Sequence, residues 1–452
     1  MSSGLIALHV RAYRRVWLGA MVSSIGSTMY LTALGWYTIV TTGSASKLTV
    51  LSFAGLLPLL ALSPVAGALA DRYSRRKLLL VTLVLQMAVA TGLATAVGLD
   101  VASYPVLVLF ALAGGASGAL TAPIFSALLP TLVPPEALRN AVVLNSMQYN
   151  ISRAIGPMVA GLLIDSVGVA VVFWCNAVSF VAVLFAVAGI EDRPPAARRQ
   201  QRSMWGDMSA AMRYVRATAG LRVALGTAGL LALISQPIQW LAPVIARDGL
   251  GLDARGFGLF LGSYGAGAIV AGVGLLFFDR GVPYRWLATA GSTGVAVSLL
   301  ALGLAPGFIV GVLAMGALGT SFLTASTTLN SSLQAQLDDR VRGRVVSLWM
   351  MIFGGVAPLG ILVQGTLSDL VDVQLVLIGD AVVLAVVLAR IFLLRRFRLL
   401  DVRAAIDHEP AEATAEEVTT AVPAPAVAAT EPGSARIRRG RPRLSFGGDA
   451  AD

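Results

Sequence analysis

The chain has 452 residues, of which 56% are hydrophobic and only 13% charged. Soluble domains carry about 25% charged residues, so a soluble multidomain protein is excluded, and recurrent apolar runs of about 20 residues mark a polytopic membrane protein. The formal charge of +10 would point to nucleic acid in a soluble chain, but here the basic residues mark orientation and no nucleic-acid partner is expected.

In chain order, residues 1–15 form a short basic N-terminus with Arg11, Arg14 and Arg15 and no cleavable signal. Twelve apolar spans are predicted, at 16–40, 48–70, 78–98, 104–129, 141–165, 168–190, 221–245, 257–278, 284–304, 307–333, 345–368 and 373–394. They group into an N-terminal six-helix bundle (16–190), a polar linker (191–220) and a C-terminal six-helix bundle (221–398). Residues 399–452 are read as a disordered cytoplasmic tail, rich in Ala, Pro and Glu before the basic run RIRRGRPR. With the N-terminus inside, arginines concentrate in the cytoplasmic loops, and the external loops hold only Lys47, Arg247 and Arg255. That asymmetry places both termini in the cytoplasm of a multi-pass plasma-membrane protein.

The halves echo one another. Pro157 and Pro358 are 201 positions apart, as are Arg139 and Arg340. Each pair belongs to a block of basic loop, apolar span with small residues and a proline, and an aspartate at the far end. Two pseudo-symmetric bundles joined by a linker are the pattern of a duplicated transporter.

Between the second and third spans lies GALADRYSRRK, with Gly67, Asp71, Arg72, Arg75, Arg76 and Lys77. Orientation alone accounts for the basic residues but not for an aspartate four residues after a glycine. The pattern resembles the loop signature of the major facilitator superfamily, with Ser74 in place of its second glycine. The resemblance implies an all-α integral membrane fold of twelve transmembrane helices and a cytoplasmic latch at Gly67, Asp71, Arg72, Arg75 and Arg76. The equivalent loop of the second half keeps Asp279 and Arg280.

The fifth span carries SRAIGPMVAG, in which Gly156, Pro157 and Gly161 resemble the end of the fifth-helix motif of exporters in that superfamily. Asn145 and Ser152 stand where earlier glycines of that motif fall. A generic kink is the alternative reading of the Gly-Pro pair. The wider blocks at 138–164 and 340–360 resemble the transmembrane secretion effector branch, which includes enterobactin exporters and macrolide efflux proteins. Members of that branch often carry an aspartate where this chain has Ser27, so proton coupling is implied by the resemblance and not by a visible carboxylate.

The same fold implies that the first, fourth, seventh and tenth spans line a central path, with the fifth nearby. Candidate cavity residues are Ser27, Tyr30, Thr121, Asn145, Tyr149, Gln236, Gln239, Trp240, Thr324 and Asn330. The one carboxylate deep in a span is Asp380, a possible proton site on a peripheral helix, read first as structural or partner-bonded. Arg153 is the one deep cation. At 100° per residue it shares a stripe with Ser146, Asn150 and Pro157, with Tyr149 at the edge. An arginine at mid-bilayer costs roughly 2.5–3.5 kcal/mol even on a lenient scale, so it faces protein or water. It either braces neighbouring carbonyls or faces the cavity and meets substrate.

No enzymatic centre is visible. His9 and His408 lie outside the spans, no metal site or cofactor is expected, and Lys47 and Lys77, the only lysines, leave no nucleotide-binding loop. Cys175 has no cysteine to pair with. The expected function is secondary-active efflux of a neutral or anionic amphipathic small molecule by a monomer in the lipid bilayer, with the proton gradient as energy source. Alternatives are a lipid or lysophospholipid flippase of the same fold and a non-catalytic membrane scaffold.

Overall fold

A computed structural model of the protein describes residues 3–192, 204–278, 281–337 and 339–401. Among the described residues the chain is all-helical, with no strand. The N-terminal half consists of α1 (Arg11–Thr42), α2 (Ala45–Arg72), α3 (Arg75–Gly98), α4 (Tyr104–Leu132), α5 (Pro135–Val167) and α6 (Val169–Ala188). A short amphipathic helix, α7 (Met204–Ala217), leads into the C-terminal half. There, α8 (Ala219–Ile234) and α9 (Gln236–Val244) are followed by α10 (Ala254–Phe278), α11 (Tyr284–Gly303) and α12 (Phe308–Ala335). The series ends with α13 (Asp339–Met351), α14 (Ala357–Leu370) and α15 (Val373–Leu393).

Nine described helical stretches are long and apolar enough to cross a membrane. α1, α2 and α5 are also long, at 32, 28 and 33 residues; in α1 and α5, arginines or hydroxyl and amide side chains interrupt the apolar run. Large apolar side chains such as Phe185, Leu276 and Leu393 point outward and are more than three-quarters exposed, as a lipid-facing surface requires.

Helices alternate in direction, so the loops fall into two sets. The terminal end holds Arg72–Lys77 and the chain's entry into α1, and the far end holds the α1–α2 and α14–α15 turns. Turn chemistry follows the sequence. Gly43 closes α1 in the left-handed region (φ 62°), and Ser44 caps α2 by accepting the Lys47 N–H at 3.2 Å.

A proline breaks the seventh predicted span. Pro237 has no N–H for the Leu233 carbonyl, and α8 gives way to α9 at Ser235. The Gln364 side chain of α14 supplies the missing donor, reaching Leu233 O at 3.4 Å and Ile234 O at 3.0 Å. A π-helical turn, Ile352–Val356, containing Gly354 and Gly355, likewise separates α13 from α14 ahead of Pro358. Its counterpart Pro157 sits inside an unbroken α5. The sequence repeat is thus preserved with unequal helix geometry.

Small residues bring the halves together. A Cβ on Gly161 would lie 2.5 Å from Ala254 O and 2.8 Å from Gly258 Cα, so α5 and α10 touch backbone to backbone. At the symmetry-related contact, a Cβ on Gly365 of α14 would lie 2.2 Å from Thr49 Oγ1 of α2. Other glycines also pack closely: Gly262 and Gly265 approach α5, Gly267 meets Gly316, and Gly115 meets Gly55.

Candidate transport cavity

A cavity of about 840 Å³ lies between the halves, lined by α1 to α6 together with α9 and α10. Of the predicted cavity residues, Ser27, Tyr30, Thr121, Asn145, Tyr149, Gln236, Gln239 and Trp240 line it, as do Arg153 and Pro157. Thr324 and Asn330 do not, and the expectation that the tenth span lines the path fails among the described residues. The reason is local. α12 packs between α10 and α11, and its polar groups are spent there: Thr324 donates to Thr320 O at 2.8 Å, Thr320 donates to Gly267 O at 3.0 Å, and Asn330 accepts the Gln334 amide.

The stripe read on α5 is also displaced. Ser146 and Asn150 bond within their own helix, and the cavity face runs through Asn145, Gln148, Tyr149, Ser152, Arg153 and Pro157. Gly156 explains the rotation, because a Cβ there would lie 2.0 Å from Thr28 Oγ1. The Gly156 face is pressed on α1, where Thr28 donates to Ser152 O at 2.9 Å.

Polar side chains gather on the N-terminal half. The Gln148 amide donates to Ser24 Oγ at 3.0 Å and the Gln86 amide to Thr121 Oγ1 at 2.6 Å. The buried oxygens of Tyr30 (Oη), Gln148 (Oε1) and Asn176 (Oδ1) have no hydrogen-bond partner among the described residues. The sequence reading missed Gln86, Gln148, Asn176 and Tyr264. Gln148 was within reach, one helical turn from Ser152 and Asn145, whereas Tyr264 depends on how α10 crosses α5.

Arg153 is the single charged side chain among the described lining residues. Its guanidinium carbon lies 5.3 Å from the ring centroid of Tyr149 and 5.5 Å from that of Tyr264. It forms no ion pair or carbonyl hydrogen bond among the described residues, so the bracing arrangement is not the one observed. Asp380 lies on α15 outside the lining, and its buried Oδ2 has no hydrogen-bond partner among the described residues, so of the structural and partner-bonded readings no partner is seen there.

The loop signature divides. The side chains of Gly67, Asp71, Asp279 and Arg280 lie outside the described residues. Arg72 is exposed. Arg75 donates to Ala127 O at 2.8 Å, and Arg76 to Val187 O at 3.3 Å and Ala188 O at 2.6 Å. Both arginines therefore pin α3 to α4 and α6 within their own half. Ser74, the departure from the signature glycine, caps α3 and donates to Asp192, which pairs with Lys77 at 3.4 Å.

At the far end, charged groups of the C-terminal half clamp the α1–α2 turn of the other half. Asp369 accepts from Ser44 Oγ at 2.8 Å, Ala45 N at 2.6 Å and Ser46 N at 3.0 Å. Arg247 donates to Ile39 O at 2.5 Å. An anion thus caps the start of α2 and a cation the end of α1, each matched to the helix dipole.

Against known proteins, a family model described as transmembrane secretion effector matches residues 2–424. The chain belongs to that family. Macrolide efflux protein A of Streptococcus pyogenes is 28% identical over 371 residues, covering 79% of this chain and 90% of that protein. Multidrug efflux pump Tap of Mycobacterium tuberculosis is 24% identical over 367 residues, covering 77% and 85%. The Staphyloferrin A transporter of Staphylococcus aureus is 30% identical over 175 residues, 38% of this chain and 42% of that one. The fold matches the crystal structure of the nucleoside transporter NupG with a TM-score of 0.69, 13% identity and coverage of 84% and 99%. It also matches an inward-facing bacterial homologue of the iron transporter ferroportin (TM-score 0.65, 18% identity, coverage 84% and 98%). The transmembrane secretion effector described here is therefore a multi-pass membrane transporter of major facilitator type acting on a small molecule, and not an enzyme.

Proposed function

We propose that this transporter exports neutral or anionic amphipathic small molecules, such as siderophores, antibiotics or other secondary metabolites, across the plasma membrane as a monomer. The observation that carries the reading is the cavity's charge. It holds one cation, Arg153, and no carboxylate among its described lining residues. A lipophilic cation entering would meet a like charge with nothing to neutralise it, whereas a neutral or anionic molecule would not. The volume suits a drug-sized ligand, and the relatives are named for macrolides, multiple drugs and a siderophore.

Alternating access is the proposed cycle. The arginine-rich terminal end is taken as cytoplasmic, so the clamp at Asp369 and Arg247 closes the external side and the cavity faces inward. Export then requires that clamp to break while the terminal ends of the halves approach.

For neutral cargo, proton antiport is the proposed energy source. For anionic cargo the membrane potential suffices, since moving one negative charge out of a negative interior yields about 2.3 kcal/mol per 100 mV. The absence of a described cavity carboxylate favours this second source for anions. Uptake into inverted vesicles with the pH gradient and the potential imposed separately tests both. Neutral probes should follow the pH gradient and anionic probes the potential, and uptake indifferent to both gradients contradicts secondary-active export.

A further inference from the structure

We infer that Arg153, Tyr149 and Tyr264 form a carboxylate-binding subsite whose integrity depends on contact between the two halves. This deepens, and rests on, the export reading above. The two tyrosine rings engage the guanidinium through their π-systems. Neither contact is a hydrogen bond to an oxygen or nitrogen acceptor, and a guanidinium carries five N–H donors in a planar fork. No described acceptor takes those donors, and the side chain lines an otherwise uncharged cavity. A forked donor set without an acceptor matches two coplanar oxygens on one carbon, which is a carboxylate.

The two rings come from different places. Tyr149 stands one helical turn before Arg153 on α5 and moves with it. Tyr264 belongs to α10 of the opposite half and is only 4% exposed. Its position is set by two glycine contacts. A Cβ on the adjacent Gly265 would lie 2.7 Å from the Arg153 carbonyl carbon, and one on Gly319 of α12 would lie 2.0 Å from Tyr264 O. The backbone of α10 therefore crosses α5 at Arg153 itself. When the halves separate there, Tyr264 leaves the guanidinium and the subsite loses a wall. Tyr264 is a positioning residue: the carboxylate is held while α5 and α10 are packed together and is held less well once they part.

The test uses the purified full chain in detergent and three probes of one shape: 1-naphthylacetate, 1-naphthylacetamide and 1-naphthylmethylammonium. Binding is read from tryptophan quenching, for which Trp240 in the lining is well placed, and from thermal shift. The acid should bind about ten-fold more tightly than the amide, and the ammonium most weakly. Arg153→Gln should abolish the acid's preference over the amide. Arg153→Lys, which keeps the charge and loses the fork, should lose most of the preference and guards against a folding defect. Tyr264→Leu should narrow the acid-to-amide affinity ratio several-fold, and Tyr264→Phe should restore it. An acid that binds no better than the amide to the native chain, or a preference that survives Arg153→Gln, overturns the subsite. Should vesicles still export neutral probes in that case, the export reading stands and this inference alone falls.

Discussion

The carboxylate of Asp369, at the end of α14, accepts the Ser44 hydroxyl at 2.8 Å across the boundary between the halves. Two backbone N–H groups at the start of α2 complete the cap. α5 also carries an aspartate near its end, Asp165, but Asp165 is exposed and α10 brings its own cap, with Asp253 accepting the Gly256 N–H at 2.7 Å. Of the two helix-end aspartates, only Asp369 forms an interhalf clamp among the described residues.

Charged caps of this kind contribute about 1 kcal/mol at a partly exposed site, which is roughly five-fold in a two-state ratio. Asp369→Ala or Arg247→Ala should shift the protein toward the state open at the far end by that order. A cysteine placed at Gln236, in a Cys175→Ser background, reports it: modification by an impermeant maleimide from the far side should accelerate. Unchanged rates would mean that the clamp does not hold the closed state.

Packing of α5 on α10 should be more sensitive than its area suggests. The Cβ added by Gly161→Ala falls 2.5 Å from a backbone oxygen, which only movement of a helix can relieve. Overpacking of this kind costs about 1–3 kcal/mol, so Gly161→Ala should impair transport and mimic the clamp variants. Gly274→Ala, where nothing lies within 4 Å, should behave as the native protein. Equal effects of the two would contradict a specific interhalf contact.

Asp380 tests whether its buried carboxyl does transport work. Its Oδ2 has no described hydrogen-bond partner and it stands outside the cavity lining. A buried polar group without a partner is a cost to the fold. Asp380→Asn should retain transport, with a thermal midpoint equal to or above that of the native chain. Loss of gradient-driven transport in a well-folded Asp380→Asn protein would make Asp380 a proton carrier instead.

At the terminal end, the Ser74 hydrogen bond, reinforced by Lys77 and Arg76, holds the Asp192 carboxyl below the usual carboxylate range. A depressed folded value gives stability that is present above the unfolded value of about 4 and is lost as pH falls through the folded one. Thermal stability of the native chain should therefore fall more steeply between about pH 5 and about pH 3 than that of Asp192→Asn. Parallel slopes would show that the cap is not titrating.

Fold class and most of the cavity were legible because both follow from local rules. Apolar length marked the helices, and a charge inside an apolar run had to face the interior, which singled out Arg153. Gly156 and Gly161 of the fifth-helix motif lie at close helix contacts, and Pro157 lines the cavity. Contacts between helices were harder to read. Nothing in the run around Tyr264 says which helix it meets, and the periodicity of α5 could not reveal that Gly156 turns its face onto Thr28. Thr324 and Asn330 look like cavity residues on a helical wheel, yet their polar groups are satisfied inside the C-terminal half. The far-end aspartates were visible as a repeat, but which of them crosses the boundary depends on how α10 is capped.

The most direct measurement of the central claim is uptake by inverted membrane vesicles of matched anionic, neutral and cationic amphipathic probes, under an imposed pH gradient and an imposed potential. A single-cation cavity predicts uptake of the anionic and neutral probes with the cationic one disfavoured, and loss of the anionic advantage in Arg153→Gln. Preferred uptake of the cationic probe, or a charge preference unaltered by Arg153→Gln, would contradict it.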